Sequence, residues 1–482
     1  MNLIETLSKK LEQYSQHFFL DSEQKITFKE LNQFSDSLSW YISKITELND
    51  LIIIACHNSA NDVIAYLSSL KSERITLLLP SLKLLNIYTS YINVFNKALI
   101  ITSGIEDIKI LSETDIRYKV LNINSSEFRN NLSNKSGVPV FKKKGNDPIV
   151  LLATGGTTGI PKLVELTNSN LLSNLLQIEE IVAETSIGNS LITVLPFFHA
   201  YGLLAGVHFP IFFGADVYLK KEFLVKDFLD TIISHRIEIC FLVPQIVKIF
   251  NKFINHNKLS PPLPLKLCVS GGDRLEPDEF ENFKINTGIK IIEGYGLTEC
   301  SPVTHLNPLS SPQRGSIGKP LPQTICKIVN GQLLLAGPQV MKRYFNNEEE
   351  TNNIFSDGFL KTGDIVEVNE DGFYFIKGRI KDVIKCAGES IFPNEIERTI
   401  LKLEDVEETA VIGKNDPRHG QVPVAFVVKK SNSEMTEKKL LDFLRNRLPK
   451  NHIPKQIIFL DSLPKTPLGK IKKYILKDYI KN

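Results

Sequence analysis

Four short segments carry residue types that can work together on a phosphorylated substrate. In Leu152-Ala-Thr-Gly-Gly-Thr-Thr-Gly-Ile-Pro-Lys162, Gly155, Gly156 and Gly159 alternate with Thr154, Thr157 and Thr158, and Lys162 follows. Exposed backbone N–H groups and hydroxyl donors form a concavity that suits phosphate oxygens. The spacing is not that of the common P-loop, because Ile160 and Pro161 separate Gly159 from the lysine. The bland alternative is a turn rich in Gly and Thr. In Ile291-Ile-Glu-Gly-Tyr-Gly-Leu-Thr-Glu-Cys300, a β-branched run ends in glycines, a ring, a hydroxyl and a carboxylate. Tyr295 can stack on a base. Glu299 can hold Mg²⁺, which prefers oxygen ligands shared with phosphates. A strand end with a solvated Glu is the competing reading.

The third segment is Lys361-Thr-Gly-Asp-Ile365, followed by Gly378-Arg-Ile-Lys-Asp382. Asp364 on a tight turn can accept both hydroxyls of a ribose, with Arg379 in support. A Thr-Gly-Asp triplet also arises by chance. The fourth is Pro464-Lys-Thr-Pro-Leu-Gly-Lys470. Lys470 can place a point charge on an anionic transition state, or be one basic residue among many.

The elements that must position these groups are legible in the apolar runs. Leu51–Ala55, Ala98–Thr102 and Ile149–Ala153 read as buried strands, and 61–70 as a helix. Further apolar runs at 191–195, 239–243 and 265–269 each end in turn chemistry. Strand and helix alternate, which predicts parallel sheets covered by helices. After residue 378 the character changes to strands at 409–413 and 422–429 with helices at 394–402 and 436–447. The expected fold class is α/β: a large N-terminal domain, 1–378, and a small mobile α+β C-terminal domain, 379–482.

Composition narrows the function classes. The chain has 482 residues, with 42% hydrophobic and 23% charged, an ordinary globular balance. Lys and Arg total 57 against 54 Asp and Glu, so the net charge of +3 argues against a nucleic-acid binder. The six cysteines form no CxxC pair, which disfavours a disulfide scaffold or a common zinc site and makes a reducing, cytoplasmic compartment the default. The N-terminus lacks the order of a signal peptide. No Asp, Glu, Lys or Arg occurs from Thr185 to Ala215. Its prolines, histidines and glycines predict a buried strand–loop–helix and not a membrane span.

The four segments in this order, with Pro196-Phe-Phe-His-Ala-Tyr-Gly202, Ser270-Gly-Gly272 and Gly315-Ser-Ile-Gly-Lys-Pro320, resemble the adenylate-forming acyl-CoA synthetase superfamily. The resemblance runs from about residue 26 to 475 and is strongest to bacterial long-chain fatty acyl-CoA ligases. It implies ATP-dependent activation of a carboxylic acid, of medium or long chain, to acyl-AMP and then to a coenzyme A thioester. Thr154 to Lys162 would wrap the β- and γ-phosphates. Gly271, Gly272, Gly294 and Tyr295 would frame the adenine, Thr298 would touch the α-phosphate, and Glu299 would hold Mg²⁺. Asp364 and Arg379 would take the ribose, Lys381 would be the hinge, and Lys470 would bridge acid and α-phosphate. His199, Phe241 and Val303 would line the acyl pocket, and Gly388 the thiol tunnel.

Three features depart from the family pattern. Leu163 and Arg343 stand where glycine is common, and the segment Cys326–Gln332 is short. None of them removes a chemical group. Rival readings stay open. The acceptor is coenzyme A or the phosphopantetheine of an acyl carrier protein, whose acidic surface the tail lysines would suit. A non-catalytic nucleotide-binding protein is disfavoured because Glu299, Asp364 and Lys470 are all present. No basic amphipathic helix supports more than transient membrane contact.

Overall fold

The structure is a computed structural model that describes residues 2–104, 118–126, 128, 145–154, 161–183, 188–257, 263–431, 433–465 and 471–480. Compactness divides it into two units, Met1–Cys326 with Leu335–Leu360, and Lys327–Leu334 with Lys361–Asn482.

The first unit is built on two large sheets. In one, strands Leu51–Ala55 and Ala98–Thr102 are buried at every position, as strands covered on both faces must be. They pair in parallel, from Leu51 with Ala98 to Ala55 with Thr102. The expected helix runs Ala60–Lys71 and starts on a capping box between Ser59 and Asp62. Strand Ile75–Leu79, which the sequence reading left unassigned, lies on the other side of Leu51–Ala55 and pairs with Pro148–Thr154. Thr154 therefore ends a strand inside a seven-stranded sheet, at the carboxyl edge where open α/β sheets bind ligands.

The other sheet has nine strands. Its parallel centre includes Ser190–Thr193, Ile239–Leu242, Leu267–Ser270 and Ile291–Gly296, so the predicted runs become neighbours. Ile192, Cys240, Leu242, Cys268 and Ile291 share one core with helices Val225–Ser234, Pro244–Asn257 and Pro277–Thr287. The uncharged run forms strand Ser190–Thr193, a loop, and successive helical turns Ala200–Leu203, Leu204–His208 and Phe209–Phe213. A Cβ at Gly202 would lie 2.0 Å from the Pro196 carbonyl oxygen, so only glycine lets this helix start against its own loop. No helix among the described residues is long and apolar enough to cross a membrane.

In the second unit, Phe359–Val368 pairs antiparallel with Tyr374–Arg379. Beyond them, Val406–Asp416 and Gly420–Lys429 form a long hairpin. Its apolar face meets helices Pro393–Leu401 and Glu437–Arg445 through Ile396, Ile400, Leu440 and Leu444. These elements match the predicted α+β character to within a few residues. The unit also takes in residues 361–378, because Thr362 and Val366 bond back to Leu333 and Gly331.

Candidate active site

Thr154 and Lys162 are cross-strand partners of an antiparallel hairpin, Pro148–Thr154 with Lys162–Thr167. Gly155, Gly156, Thr157, Thr158 and Gly159 connect them and lie outside the described residues. The Lys162 ammonium forms an ion pair with Glu350 and sits 4.9 Å from the centre of the Tyr344 ring. The Tyr344 hydroxyl donates to Glu299 Oε1 at 2.8 Å. Two residues singled out separately in the sequence, Lys162 and Glu299, are thus joined through a third that was not. Burial and then the Glu299 carboxylate push the Tyr344 hydroxyl well above the usual phenol range, so it stays a donor.

Both unusual residues here have structural explanations. Strand Arg343–Tyr344 pairs with Lys162–Thr167, setting Arg343 opposite Glu165 and Tyr344 opposite Val164. Arg343 Nε meets the buried Glu165 carboxylate at 3.0 Å, a partner no glycine supplies. Leu163 fills the core beside Leu151 and Phe345. Both departures place side chains that pair or pack where glycine would leave none.

The Glu299 segment is held by its surroundings. Strand Ile291–Gly296 ends against Val303–Leu306, and a Cβ at Gly296 would lie 2.0 Å from the Pro302 oxygen. Thr298 and Glu299 follow in a 3₁₀ turn. The Met341 N–H donates to the Glu299 carbonyl at 2.7 Å, and the Ser301 hydroxyl to the Gln339 carbonyl at 2.9 Å. Asn174 holds Val303 at both ends, accepting from its N–H at 3.1 Å and donating to its carbonyl at 2.7 Å.

These supports were missed in the sequence, yet a signal existed. Helix Asn168–Val182 carries Asn170, Asn174 and Gln177, all buried, at helical spacing on an apolar scaffold. Asn170 donates to the Pro338 and Val340 carbonyls, and Gln177 to the Gln339 side chain and the Pro322 carbonyl. Buried amides at one face of a helix must find partners. Here the partners are the backbone that positions Glu299.

Gly271 follows strand Leu267–Ser270, and its N–H donates to the Leu242 carbonyl at 3.1 Å. A Cβ there would approach the Tyr201 ring to 3.3 Å, and one at Gly294 would approach Leu306 Cδ1 to 3.2 Å. Gly272 has φ +87°, a left-handed backbone that favours glycine. The Tyr201 hydroxyl donates to the Val269 carbonyl at 3.2 Å. Its ring lies edge-on to Phe241 at 6.2 Å, and Phe241 meets Phe209 edge-on at 5.1 Å. His199 packs on Phe198 at 4.4 Å, and burial pushes its pKa down to about 4, so it is neutral near pH 7. Tyr295 is mostly buried and lies edge-on to His305 at 5.8 Å. Tyr201, Phe241 and Gly271 come together.

In the second unit, Asp364 and Arg379 are cross-strand partners, with Nε and Oδ1 3.0 Å apart and Asp364 buried. Lys381 is exposed in the turn Ile380–Asp382. Gly388 closes a two-residue turn with Ala387, at φ +87° and +49°. Among the described residues no neighbour lies within 4 Å of a Cβ built on Gly388, so its backbone angle, not crowding, calls for glycine. Lys470 lies outside the described residues, between Lys465 and Ile471, which form a bridge.

The donor set suits the groups the sequence reading named. Glu299 offers the carboxylate oxygen that Mg²⁺ takes when phosphates and waters supply the rest. No cluster of three or more His, Cys, Asp or Glu that could hold an ion alone occurs among the described residues. At Gly271 and Gly294 the absence of a Cβ lets the Tyr201 ring and Leu306 pack close to the backbone.

The chain is similar to known proteins over most of its length. A long-chain-fatty-acid–CoA ligase of Bacillus subtilis is 36% identical over 354 residues, 70% of this chain. The matched stretch covers 63% of that ligase, less than two thirds of its length. Probable 4-coumarate–CoA ligase 3 of Dictyostelium discoideum is 35% identical over 372 residues, 73% of this chain and 67% of that one. The fold matches ATP-bound MatB from Rhodopseudomonas palustris with a TM-score of 0.89, at 24% identity over 100% of this chain and 99% of that one. The AMP-binding enzyme family matches residues 7–345 and the AMP-binding enzyme C-terminal domain residues 395–470, and the chain belongs to that adenylate-forming family.

Proposed function

We propose that this chain is an AMP-forming acid–thiol ligase that converts a medium- or long-chain fatty acid first to acyl-AMP and then to its coenzyme A thioester. The observation that carries the reading is the convergence of Lys162 and Glu299 on Tyr344 at the end of the Gly/Thr hairpin. One is a cation for phosphate, the other a carboxylate for a phosphate-bound metal.

In this reading Thr154, the 155–159 loop and Lys162 hold the β- and γ-phosphates of ATP. Gly271, Gly272, Gly294 and Tyr295 frame the adenine, Asp364 with Arg379 holds the ribose, and Thr298 contacts the α-phosphate. Glu299 holds Mg²⁺, whose chemistry is to neutralise charge on the phosphate oxygens. The acid's carboxylate attacks the α-phosphorus and pyrophosphate leaves. Lys470 spans the attacking carboxylate and the α-phosphate, where charge builds. The coenzyme A thiol, having lost its proton, then attacks the acyl carbon and AMP leaves. Lys381 serves as the hinge for an exchange between these steps, bringing Lys470 for the first and the Gly388 hairpin for the second.

In this reading the neutral His199, with Phe241 and Val303, lines the acyl group. An aryl acid would use the same residues. Coenzyme A is the preferred acceptor over a carrier protein, because the cationic tail is partly committed. Lys465 pairs with Glu408, and Lys473 with Glu397 at 2.7 Å.

The test is acid-dependent release of AMP from ATP and Mg²⁺ across C2 to C18 fatty acids and aryl acids, with and without coenzyme A. Turnover that needs coenzyme A and peaks with longer chains supports the reading. Adenylate that coenzyme A does not discharge shifts the acceptor to a carrier protein, and a peak with aryl acids replaces the substrate class.

A further inference from the structure

We propose that Tyr344 is a positioning residue that orients the Glu299 carboxylate for the metal and seats the Lys162 ammonium beside it. The inference rests on the reading of Glu299 as the metal carboxylate.

Tyr344 is built in from both sides. Its strand pairs with Lys162–Thr167, so the backbone of Tyr344 lies opposite Val164, two residues past the lysine. Its N–H donates to the Thr351 hydroxyl at 3.0 Å, and the side chain is 3% exposed. In this packing the hydroxyl ends on Glu299 Oε1 at 2.8 Å. The same ring's face lies 4.9 Å from Lys162 Nζ, within cation–π range.

The carboxylate needs such a partner. Glu299 is 8% exposed, and a buried carboxylate that can rotate loses the orientation a metal requires. A hydrogen bond to one oxygen leaves the other aimed away from the phenol. Partners that bond to a metal's ligands and not to the metal change metal affinity by about 10- to 100-fold when removed. Phenylalanine at 344 keeps the ring, the strand pairing and the cation–π face, and deletes only the hydroxyl.

The experiment measures binding of a fluorescent ATP analogue to the full chain as Mg²⁺ is titrated, with a parallel series in EDTA. The proteins are wild type, Y344F, E299Q and the double variant. Y344F is expected to raise the half-saturating Mg²⁺ concentration about tenfold, with metal-free nucleotide affinity unchanged and a melting temperature lowered by only a few degrees. The double variant is expected to be no worse than E299Q, because both remove one unit. An unchanged Mg²⁺ midpoint in Y344F, or an equal loss of affinity in EDTA, overturns the positioning role while leaving the metal assignment standing. A normal Mg²⁺ midpoint in E299Q overturns the metal assignment in the proposed function, and the role of Tyr344 with it.

Discussion

The Glu299 turn and the Gly388 hairpin follow opposite plans. Glu299 is buried, and the backbone around it is tied by Met341, Gln339 and Asn174, residues far away in sequence. Ala387 and Gly388 are exposed, and the turn is tied by the Ala387 N–H to the His419 carbonyl at 2.8 Å. A group that stabilises developing charge works best when its position is prepaid by the fold. If the proposed thiol step uses the Gly388 turn, open backbone and small side chains there would let a long thiol pass. Under the proposed function, the braced region would serve the developing charge and the open one the entry of the thiol.

The contrast can be broken at its strongest point first. E299Q is expected to lower acid-dependent pyrophosphate release by about 100- to 1000-fold, with the melting temperature little changed. Release within tenfold of wild type would remove Glu299 from the charge-handling group. Next, N174A strips both bonds from the Val303 backbone and is expected to cost about 2–4 kcal/mol in urea unfolding, two unmet buried groups' worth. A loss below about 1 kcal/mol would mean the turn holds itself.

Acid should loosen the braced unit. Burial pushes His199 down to about 4, and His208 and His305 to about 3, against 6.5 for an ordinary histidine. Above pH 6.5 these rings are neutral folded or unfolded. Below it the unfolded chain takes up protons that the folded chain refuses, so stability falls as pH drops from 6.5 towards 4. Glu293, raised to about 7 by burial, works in the opposite sense, its contribution being lost as pH rises from 4.5 to 7. Asp62, whose carboxyl burial also raises, acts in the same sense at the acid end, so two carboxyls oppose three histidines; the net expectation is a falling urea midpoint between pH 6.5 and 4, and a flat one would contradict the burial of these rings.

The smallest effect belongs to the open region. G388A meets no neighbour and pays only for its left-handed backbone, about 1–2 kcal/mol. Thioester formation from supplied acyl-AMP is expected to slow while pyrophosphate release persists. Equal loss of both half-reactions would detach this hairpin from the thiol step.

Much of the architecture was legible in one dimension, because it rests on local patterns. Apolar runs such as Leu51–Ala55 and Ile239–Leu242 have no other use than a covered strand, and the alternation with helices dictates parallel pairing. Strand Ile75–Leu79 escaped notice since it follows helix Ala60–Lys71 after a few residues and looks like its continuation. The candidate chemistry was legible too, since Gly, Thr, Lys and Glu announce themselves by type and order.

By itself, the sequence determined which residues could bear charge, that Thr154 and Gly271 lie just beyond buried apolar runs, and that the chain has the family's ordered motifs. Tertiary structure alone decided which of those residues meet. Lys162 finds Glu350 across 188 positions, Asn174 finds Val303 across 129, and Tyr344 reaches Glu299 across 45. It also decided that Arg343 answers Glu165 and that Leu163 is core. The physical reason is range. Strand and turn propensities act over a few residues and leave their mark on neighbours. A hydrogen bond or ion pair depends on distances of about 3 Å, which only the packed chain sets.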